Sequence, residues 1–470
     1  MNSKTKLMAH QRAAVVKMLP TRIGALFMEM GTGKSRTAIE LAMLRRENID
    51  RVAWFCPVSL KQTVRQEIVK HTDCGEADIN VFGEKTSARN LPGCFWHVVG
   101  IESMSASSRV VCTVNKLITA RTLVIVDESS YIKGHNASRT MRLTHIAERA
   151  RYRLILTGTP ISQGVVDLFA QMRFLSPKIL GYRSFYSFAA NHLEYHEKFK
   201  GMIVRSHNTE YLAAKIKPYV YQVTKDECLE LPDKLYERRY CTMTLEQSSW
   251  YERIKDEILN TEEEWDSIAI FRLFSALQQI VNGFLNWRPR NKKELTHHRF
   301  EHDRIDVLMD TVTSIPAEEK IIIWAKYLHD IEGIAAALAS QFGPDSVAPY
   351  HGRLNERKRA ASVERFRSGA RFFLATPSCG GHGLTLNEAH YVVFYNNGFK
   401  YSERLQAEDR CHRIGQEHKV VYIDLVCSGT IDERIMTALD SKGNVVEEFK
   451  REVDRVKDKK SRLRKLVEDL

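Results

Sequence analysis

Two sets of residues in this 470-residue chain could act on a transferred phosphoryl group. The first is the turn Gly31-Thr32-Gly33-Lys34-Ser35, where glycines let the backbone approach a phosphate closely. We expect Lys34 to reach the β and γ phosphates and the Ser35 hydroxyl to ligate Mg²⁺. The second set is Arg410 and Arg413, whose spacing would put both on one face of a helix. Because a guanidinium stays charged at any working pH, the pair suits neutralising charge on that phosphoryl group.

A pair of carboxylates adds to this chemistry. Asp127 and Glu128 follow residues 123–126, a continuously apolar run of the kind found in strands buried on both faces. We expect Asp127 to hold the Mg²⁺ shell and Glu128 to orient or deprotonate an attacking water. A further apolar run, residues 153–156, ends in Thr157-Gly158-Thr159-Pro160. The hydroxyl groups of this segment could sense both the carboxylates and the nucleotide.

The elements that position these residues are predicted from alternating strand-like and helical patterns. Strand-like runs cover residues 24–28, 51–56, 97–100, 123–126 and 153–156, and then 321–324, 346–350, 372–376, 392–395 and 420–425. Such alternation predicts an α/β protein with two RecA-like doubly wound parallel sheets. The candidate residues stand just past strand ends, where open α/β sheets bind ligands. We therefore expect ATP in a cleft with Lys34 on one wall and the arginine pair on the other.

Together these motifs resemble those of helicase superfamily 2 motors, and among them the Swi/Snf-type ATPases that translocate along double-stranded DNA. His10-Gln11 resembles the adenine-recognising Q motif, and residues 55–60 resemble motif Ia. Asp127-Glu128-Ser129-Ser130 resembles motif II, residues 380–386 resemble motif V, and residues 406–416 resemble motif VI. The Arg-Ile-Gly-Gln ending of the last motif is the most family-specific string in the chain.

The resemblance implies a role for individual residues. Gln11 would read adenine, and ATP would be bound by Gly31, Thr32, Gly33, Lys34, Ser35 and Gly383. Arg410 and Arg413 would stabilise the transition state. Coupling to movement would involve Thr157, Thr159 and Gln406, and the DNA backbone would be contacted near Pro57, Ser59 and Thr376.

The chain departs from the family pattern in two places. Ser130 replaces the histidine that would link motif II to motif III, which residues 156–160 resemble, and we expect its hydroxyl to make a shorter hydrogen bond instead. The approach to motif V, Thr376-Pro377-Ser378-Cys379, lacks the basic residue often found there, which puts that DNA contact in doubt. Both departures favour a compact bacterial or phage-like member of the family.

The predicted organisation has four parts. Residues 1–175 form the first RecA-like domain, 176–316 form helical protrusions and a linker, and 317–440 form the second RecA-like domain. Residues 441–470 form a charged amphipathic helix, which we expect to brace the first core. A coiled-coil site for a protein partner and a DNA contact are the alternatives for this helix.

Composition favours a polyanionic partner. The formal net charge is +12, and phosphate neutralisation supplies most sequence-independent affinity for nucleic acid. No apolar run is long enough to predict a membrane span. Nine cysteines without a CxxC pair indicate a reducing compartment, so we expect a bacterial or phage-infected cytoplasm.

We therefore predict an ATP- and Mg²⁺-dependent motor that moves on double-stranded DNA through backbone contacts. A strand-separating helicase and an RNA-stimulated ATPase of the same superfamily stay open as alternatives. A nucleic-acid clamp without enzymatic activity is a third alternative, from a different functional class.

Overall fold

The computed structural model describes residues 3–158, 160, 164–195, 203–262, 265–288, 295–380, 384–456 and 460–470. It divides into two compact units, Met1–Glu230 and Leu231–Leu470. The helical segment predicted over 176–316 contains the boundary between the two units in the sequence, and its standing as a separate domain stays a prediction.

The first unit is built on a parallel sheet in which seven described strands have the order β3-β4-β2-β5-β6-β1-β9. A short antiparallel hairpin pairs β7 with β8. The strands are β1 Ile23–Met28, β2 Arg51–Cys56, β3 Ile79–Val81, β4 Trp96–Gly100, β5 Thr122–Asp127, β6 Tyr152–Leu156, β7 Leu193–Tyr195, β8 Ile203–Ser206 and β9 Val220–Val223.

Helices cover both faces of this sheet. They are α1 Ala9–Met18, α2 Lys34–Leu44, α3 Lys61–His71, α4 Ser103–Ala106, α5 Ser108–Leu117, α6 Ser138–Ala147, α7 Val166–Leu175, α8 Pro177–Leu180, α9 Phe185–His192, α10 Thr209–Ile216 and α11 Lys225–Cys228. Alternate residues of the central strands face opposite sides: in β5, Val124 and Val126 join one apolar cluster, while Leu123 and Ile125 join the other. Burial on both faces explains why these strands read as continuous apolar runs.

The second unit repeats the design with a parallel sheet of six described strands in the order β10-β17-β16-β13-β15-β14. An antiparallel hairpin joins β11 and β12. The strands are β10 Lys234–Cys241, β11 Phe284–Trp287, β12 Thr296–Arg299, β13 Lys320–Trp324, β14 Val347–Tyr350, β15 Phe372–Ala375, β16 Ala389–Phe394 and β17 Val420–Cys427. The predicted α/β class with two doubly wound parallel sheets is confirmed.

The helices of the second unit are α12 Leu245–Thr261, α13 Ser267–Val281, α14 Arg304–Ser314, α15 Leu328–Phe342, α16 Glu356–Ser368, α17 Pro377–Gly380, α18 Tyr401–Glu408, α19 Ile431–Asp440, α20 Val445–Val456 and α21 Lys460–Glu468. None of the helices in the described ranges has both the length and the apolar character needed to cross a membrane.

The C-terminal segment differs from its prediction. Two helices, α20 and α21, replace the one expected. Their apolar residues Phe449, Val453 and Val467 are buried in a cluster with α12 and α13 of the second unit, so the expected brace on the first core is wrong. The helical spacing was read correctly, but spacing alone does not say which neighbouring helix the apolar face will meet.

Candidate functional site

The phosphate-loop site comprises the turn Gly31–Ser35 together with Asp127 and Glu128, all at the carboxyl edge of the first sheet. The turn joins β1 to α2 and depends on positive backbone φ angles, +83° at Gly31 and +88° at Gly33. Residues with a side chain rarely adopt these angles. Gly33 is also the N-cap of α2, so the turn lies at a helix N-terminus, where backbone N–H groups and the helix dipole favour phosphate.

Lys34 is buried and folds back over the turn. Its Nζ donates to the carbonyl oxygens of Met28 at 2.9 Å and Glu29 at 3.4 Å. The segment after β6 approaches the same amine, because a Cβ placed on Gly158 would lie 3.4 Å from Lys34 Nζ and 3.1 Å from the Met30 nitrogen. The turn and the segment that follows β6 are therefore packed against each other, and a glycine is what lets them approach.

Asp127 ends β5, and Glu128 follows in an unusual conformation. Glu128 has φ +50° and ψ +58°, the left-handed region that costs a non-glycine residue roughly 1–2 kcal/mol. Its backbone N–H donates to Asp127 Oδ1 at 3.0 Å, and the indole of Trp54 donates to Asp127 Oδ2 at 3.4 Å. Trp54 is not among the predicted site residues, since an indole within a buried strand is ordinarily a core side chain.

The charge state of Asp127 is shaped by burial. Desolvation raises the pKa of its carboxyl above the ordinary value, the nearby Glu128 carboxylate raises it further, and the Lys34 ammonium opposes the rise. A divalent cation would stabilise the ionised form here. The oxygen donors of Asp127 and Ser35 suit Mg²⁺, which commonly takes one or two protein carboxylates and completes its shell with phosphates and water. No cluster of three or more metal-binding side chains occurs among the described residues.

The link between motif II and its surroundings is made by a different serine from the one predicted. Ser129 Oγ, not that of Ser130, donates to Gln171 Oε1 on α7 at 2.6 Å. The amide of Gln171 donates to the carbonyl oxygen of Pro160 at 2.9 Å. The short helix that begins at Ser129 turns this residue inward, which could not be read from the serine pair alone. Thr157 is buried at the end of β6, whereas Thr159 lies outside the described residues.

Gln11 lies against the turn and not apart from it. Its Nε2 donates to the Thr32 carbonyl oxygen at 3.2 Å, and His10 Nε2 lies 2.7 Å from the same oxygen. The Oε1 atom of Gln11 accepts from the Met8 N–H at 3.1 Å. The amide thus connects the first helix to the phosphate turn, and its adenine-reading role stays a prediction.

The second candidate site is the arginine turn, residues 409–416. The expectation that a helix presents both arginines is wrong, because α18 ends at Glu408 and the arginines follow in turns. They still converge: Nη1 of Arg410 and Nη1 of Arg413 donate to the carbonyl oxygen of Leu384 at 3.3 and 3.2 Å. Nε of Arg410 donates to the carbonyl oxygen of Gln406 at 2.8 Å.

Gln416 holds this turn together through hydrogen bonds, a role that was not predicted for it. It is buried, and its Nε2 lies 3.2–3.3 Å from the carbonyl oxygens of Asn387, Ala389 and Cys411. Gly415, with φ +93°, lets the chain reverse just before it. The Arg-Ile-Gly-Gln string was the sequence signal that could have indicated this role. Its glycine is needed for the positive φ angle, and its glutamine binds the carbonyl oxygens.

Glu408 anchors the start of the turn to β10. It accepts hydrogen bonds from Lys234 Nζ at 2.8 Å and from the Tyr236 hydroxyl at 2.9 Å. Nε of Arg404 donates to Glu408 at 2.8 Å, and its two terminal nitrogens, Nη1 and Nη2, donate to Asp424. These partners keep Glu408 ionised, and they lower its pKa despite burial.

The remaining candidates differ in exposure. Ser59 is exposed after β2, whereas the side chains of Pro57 and Thr376 are buried. Gln406 is half-buried on α18. Gly383 lies outside the described residues, so its assignment to ATP binding stays a prediction.

Comparison with known proteins identifies the family. The profile of the SNF2-related domain matches residues 10–298, and that of the helicase conserved C-terminal domain matches residues 298–415. The putative ATP-dependent helicase/translocase YwqA of Bacillus subtilis is 25% identical over 334 residues, covering 68% of this chain and 34% of the relative. The DNA annealing helicase and endonuclease ZRANB3 of Homo sapiens is 26% identical over 452 residues, covering 94% of this chain and 40% of the relative.

The chain therefore spans well under half the length of these relatives. Among solved structures, the Hef helicase domain of Pyrococcus furiosus shares the fold, with a TM-score of 0.53, 12% identity, and coverage of 92% of this chain and 97% of that one. Because the SNF2-related profile alone matches well over half of the residues, the chain belongs to the SNF2-related, Swi/Snf-type family and is an ATPase of helicase superfamily 2.

Proposed function

We propose that this protein couples ATP hydrolysis to movement along double-stranded DNA. The observation that carries the ATP-binding part is the alignment of three neighbouring strand ends in the first sheet. Leu156 of β6 pairs with Leu26 of β1 on one side and with Asp127 of β5 on the other. The chain that leads to the phosphate turn, the carboxylates and the Thr157-Gly158 pair therefore leave the sheet side by side, at the edge where such sheets bind ligands.

Each side chain has a proposed part in hydrolysis. Lys34 and the backbone of residues 31–35 bind the phosphates, with the ammonium released from the Met28 and Glu29 carbonyls that it contacts. Glu128 orients the attacking water and accepts its proton. Asp127 and Ser35 would hold Mg²⁺, which supplies charge neutralisation at the β and γ phosphates when bound.

Arg410 and Arg413 are proposed to stabilise the charge that develops on the transferred phosphoryl group. Their guanidinium groups are directed to one carbonyl oxygen, that of Leu384. A carbonyl is a neutral acceptor, so exchange for an anionic phosphate oxygen would give shorter and stronger charge-assisted hydrogen bonds. Gln11 is proposed to report on adenine through its bond to the Thr32 carbonyl.

We propose DNA as the polymer along which the protein moves, because of the net charge of the chain and the descriptions of its relatives. The net charge of +12 favours a polyanion, and the relatives carry the descriptions ATP-dependent helicase/translocase and DNA annealing helicase. Backbone contacts without base reading would leave affinity steeply dependent on salt. Ser59, exposed beside the first sheet, is the residue we assign first to such a contact.

One set of measurements tests the proposal. ATPase rates are compared without nucleic acid and with single-stranded DNA, duplex DNA, forked DNA and RNA, and the protein is then assayed for triplex displacement and fork unwinding. We expect duplex DNA to stimulate turnover most and to support triplex displacement. Stronger stimulation by RNA, or robust unwinding without triplex displacement, would replace duplex translocation with one of the alternatives.

The variant Glu128→Gln tests the chemistry separately. Loss of a general base lowers turnover by roughly 10²- to 10⁴-fold, while ATP binding should persist because the phosphate turn is intact. Glu47→Gln, an exposed carboxylate in the loop beyond α2, is the matched control and should turn over like the wild type. Unchanged ATPase activity in Glu128→Gln would remove Glu128 from the role of base.

A further inference from the structure

A buried hydrogen bond joins the catalytic carboxylate turn to the helix after motif III. Ser129 Oγ donates to Gln171 Oε1 at 2.6 Å, and both side chains are fully excluded from solvent. Removing one member of such a pair leaves the other without a partner in a place that water does not reach. The bond therefore fixes Ser129 with respect to α7.

The amide group of Gln171 both accepts and donates hydrogen bonds. Besides accepting from Ser129, it donates to the carbonyl oxygen of Asp167 within α7 and to that of Pro160, both at 2.9 Å. Pro160 follows β6, as does Gly158, which lies close to the Lys34 amine. A single side chain thus connects the turn after β5 with the segment after β6.

The turn that this contact holds is under backbone strain. Glu128 occupies the left-handed region, a conformation that persists when the surroundings over-determine it. On one side the Asp127 carboxylate accepts the Glu128 N–H. On the other side Ser129 is bound to α7, and Lys133 pairs with Asp167 of the same helix at 3.6 Å. The helix α7 is therefore the platform on which the turn rests.

We propose that Ser129 and Gln171 are positioning residues that fix the direction of the Glu128 carboxylate and couple its position to Pro160, which follows β6. They take the part that family resemblance gives to the histidine absent at position 130. The inference rests on the proposed ATPase site. It adds a residue outside the recognised motifs, Gln171, to the machinery that links hydrolysis to movement.

The first test compares Ser129→Ala with Thr113→Val. Thr113 is a buried residue on α5 of the same unit, and its hydroxyl donates to the Arg109 carbonyl at 2.7 Å, so both substitutions remove one hydrogen bond made by the hydroxyl of a buried residue. Thermal midpoints should fall by similar amounts. We expect the kcat for basal ATP hydrolysis to fall roughly 10- to 100-fold in Ser129→Ala alone, with KM for ATP changed about twofold or less. Equal kcat values in the two variants would overturn the proposal.

A double variant separates positioning from stability. Ser129→Ala combined with Gln171→Met replaces both partners of this bond with apolar groups, so neither side chain is left with an unpaired polar atom. The carbonyl oxygens of Asp167 and Pro160 lose their Gln171 donor, so part of the lost thermal midpoint should return. If the bond had only a structural role, the double variant would recover kcat together with stability. We expect stability to recover in part while kcat stays low, and recovery of both would contradict the inference.

The coupling to Pro160 has its own variant. Gln171→Glu keeps an oxygen that accepts from Ser129 but removes the amide that donates to the carbonyl oxygens of Pro160 and Asp167. We expect basal kcat to fall less than in Ser129→Ala, and the ratio of duplex-stimulated to basal turnover to fall roughly 10-fold. A ratio equal to that of the wild type would overturn this coupling. Failure of the proposed function would instead appear as missing duplex stimulation in the wild type, whereas the basal comparison with Thr113→Val is unaffected by it.

Discussion

The two candidate sites stand on sheets of the same kind but are held by different means. In the phosphate-loop site, conformation comes from the backbone: Gly31, Gly33 and Glu128 all have positive φ angles. In the arginine turn, Gln416 holds three carbonyl oxygens, and both arginines meet a fourth, that of Leu384. The first site is shaped mainly by rare backbone angles, and the second mainly by side chains that satisfy carbonyls.

The difference predicts different sensitivities. A site defined by rare backbone angles should be damaged by any added Cβ, even a methyl group. A site defined by side-chain donors should tolerate small changes elsewhere but respond when a donor is shortened or removed. The following changes test this contrast, in order of expected effect.

The largest effect is expected from Arg410→Lys and Arg413→Lys. Each keeps a positive charge but loses the planar fork that can bind two oxygens at once. Loss of an arginine that stabilises phosphoryl transfer costs roughly 10³- to 10⁵-fold in kcat, while ATP binding should persist. Steady-state kinetics and nucleotide titration measure both quantities. Arg464→Lys, largely exposed on α21, is the control, and a kcat within about threefold of its value would separate the arginines from catalysis.

The next effect is expected from Gly33→Ala, compared with Gly181→Ala. Both glycines are in the left-handed region, with φ +88° and ψ +37° at Gly33 and φ +80° and ψ +5° at Gly181, so both substitutions add left-handed strain of roughly 1–2 kcal/mol. A Cβ at Gly33 would also lie 2.1 Å from Gln11 Nε2, whereas one at Gly181 meets no atom within 4 Å. We expect the Kd for ATP to rise roughly 10-fold or more in Gly33→Ala and to stay unchanged in Gly181→Ala. Equal ATP affinity in the two variants would mean that the turn does not need this close approach.

A smaller effect is expected from Gln416→Leu, which keeps the approximate volume and removes the donors to three carbonyls. Both arginines should lose their fixed direction, so kcat should fall roughly 10-fold and the thermal midpoint of the second unit should fall as well. Gln341→Leu, an exposed glutamine of α15, is the control. Loss of stability without loss of kcat would restrict Gln416 to a structural part.

The smallest effect is expected on the pH dependence of stability, and it arises from a buried lysine of the second unit and not from the arginine turn. Burial lowers the pKa of Lys326 from 10.5 to about 7, partly offset by Glu403, Asp432 and Asp330. Its Nζ contacts the neutral Gln278 Oε1 at 2.7 Å. Between pH 7 and 10.5 the unfolded chain binds more protons at this lysine than the folded one, so stability from this group rises with pH.

The variant Lys326→Met should remove that rise. The thermal midpoint of the wild type, measured from pH 7 to 10, should gain on that of the variant as pH increases. Lys358→Met, exposed on α16, controls for the loss of a charge and should follow the wild type. Parallel curves for the wild type and Lys326→Met would show that Lys326 does not titrate in this range.

Much of the frame was predictable because buried parallel strands leave a plain signal. The runs at 51–56 and 123–126, for example, are β2 and β5 nearly to the residue. The short edge strands β3 and β9 were not predicted, since three or four residues carry too little periodicity to stand out. Several candidate residues lie close to where their motifs placed them relative to strand ends, as with Lys34 and Asp127.

What failed were inferences about partners. The spacing of Arg410 and Arg413 suggested a helix, yet the chain leaves α18 at Glu408 and the two side chains converge through a turn. The family pattern, with its histidine missing at position 130, pointed to Ser130 as the linking residue, but a short helical turn directs Ser129 to Gln171. The C-terminal apolar spacing was read correctly while its packing partner was not.

The sequence by itself determined which residues could do chemistry and the type of sheet that would carry them, because glycine turns, apolar runs and short motifs are local signals. Only the tertiary structure decided that Gln171 meets Ser129, that Gln416 gathers three carbonyl oxygens and that Trp54 donates to Asp127. Some of those contacts join residues that are distant in the chain. Others depend on a local turn of the backbone that directs a side chain to its partner. Burial then makes each pairing obligatory, since a polar group removed from water must find its partner within the fold.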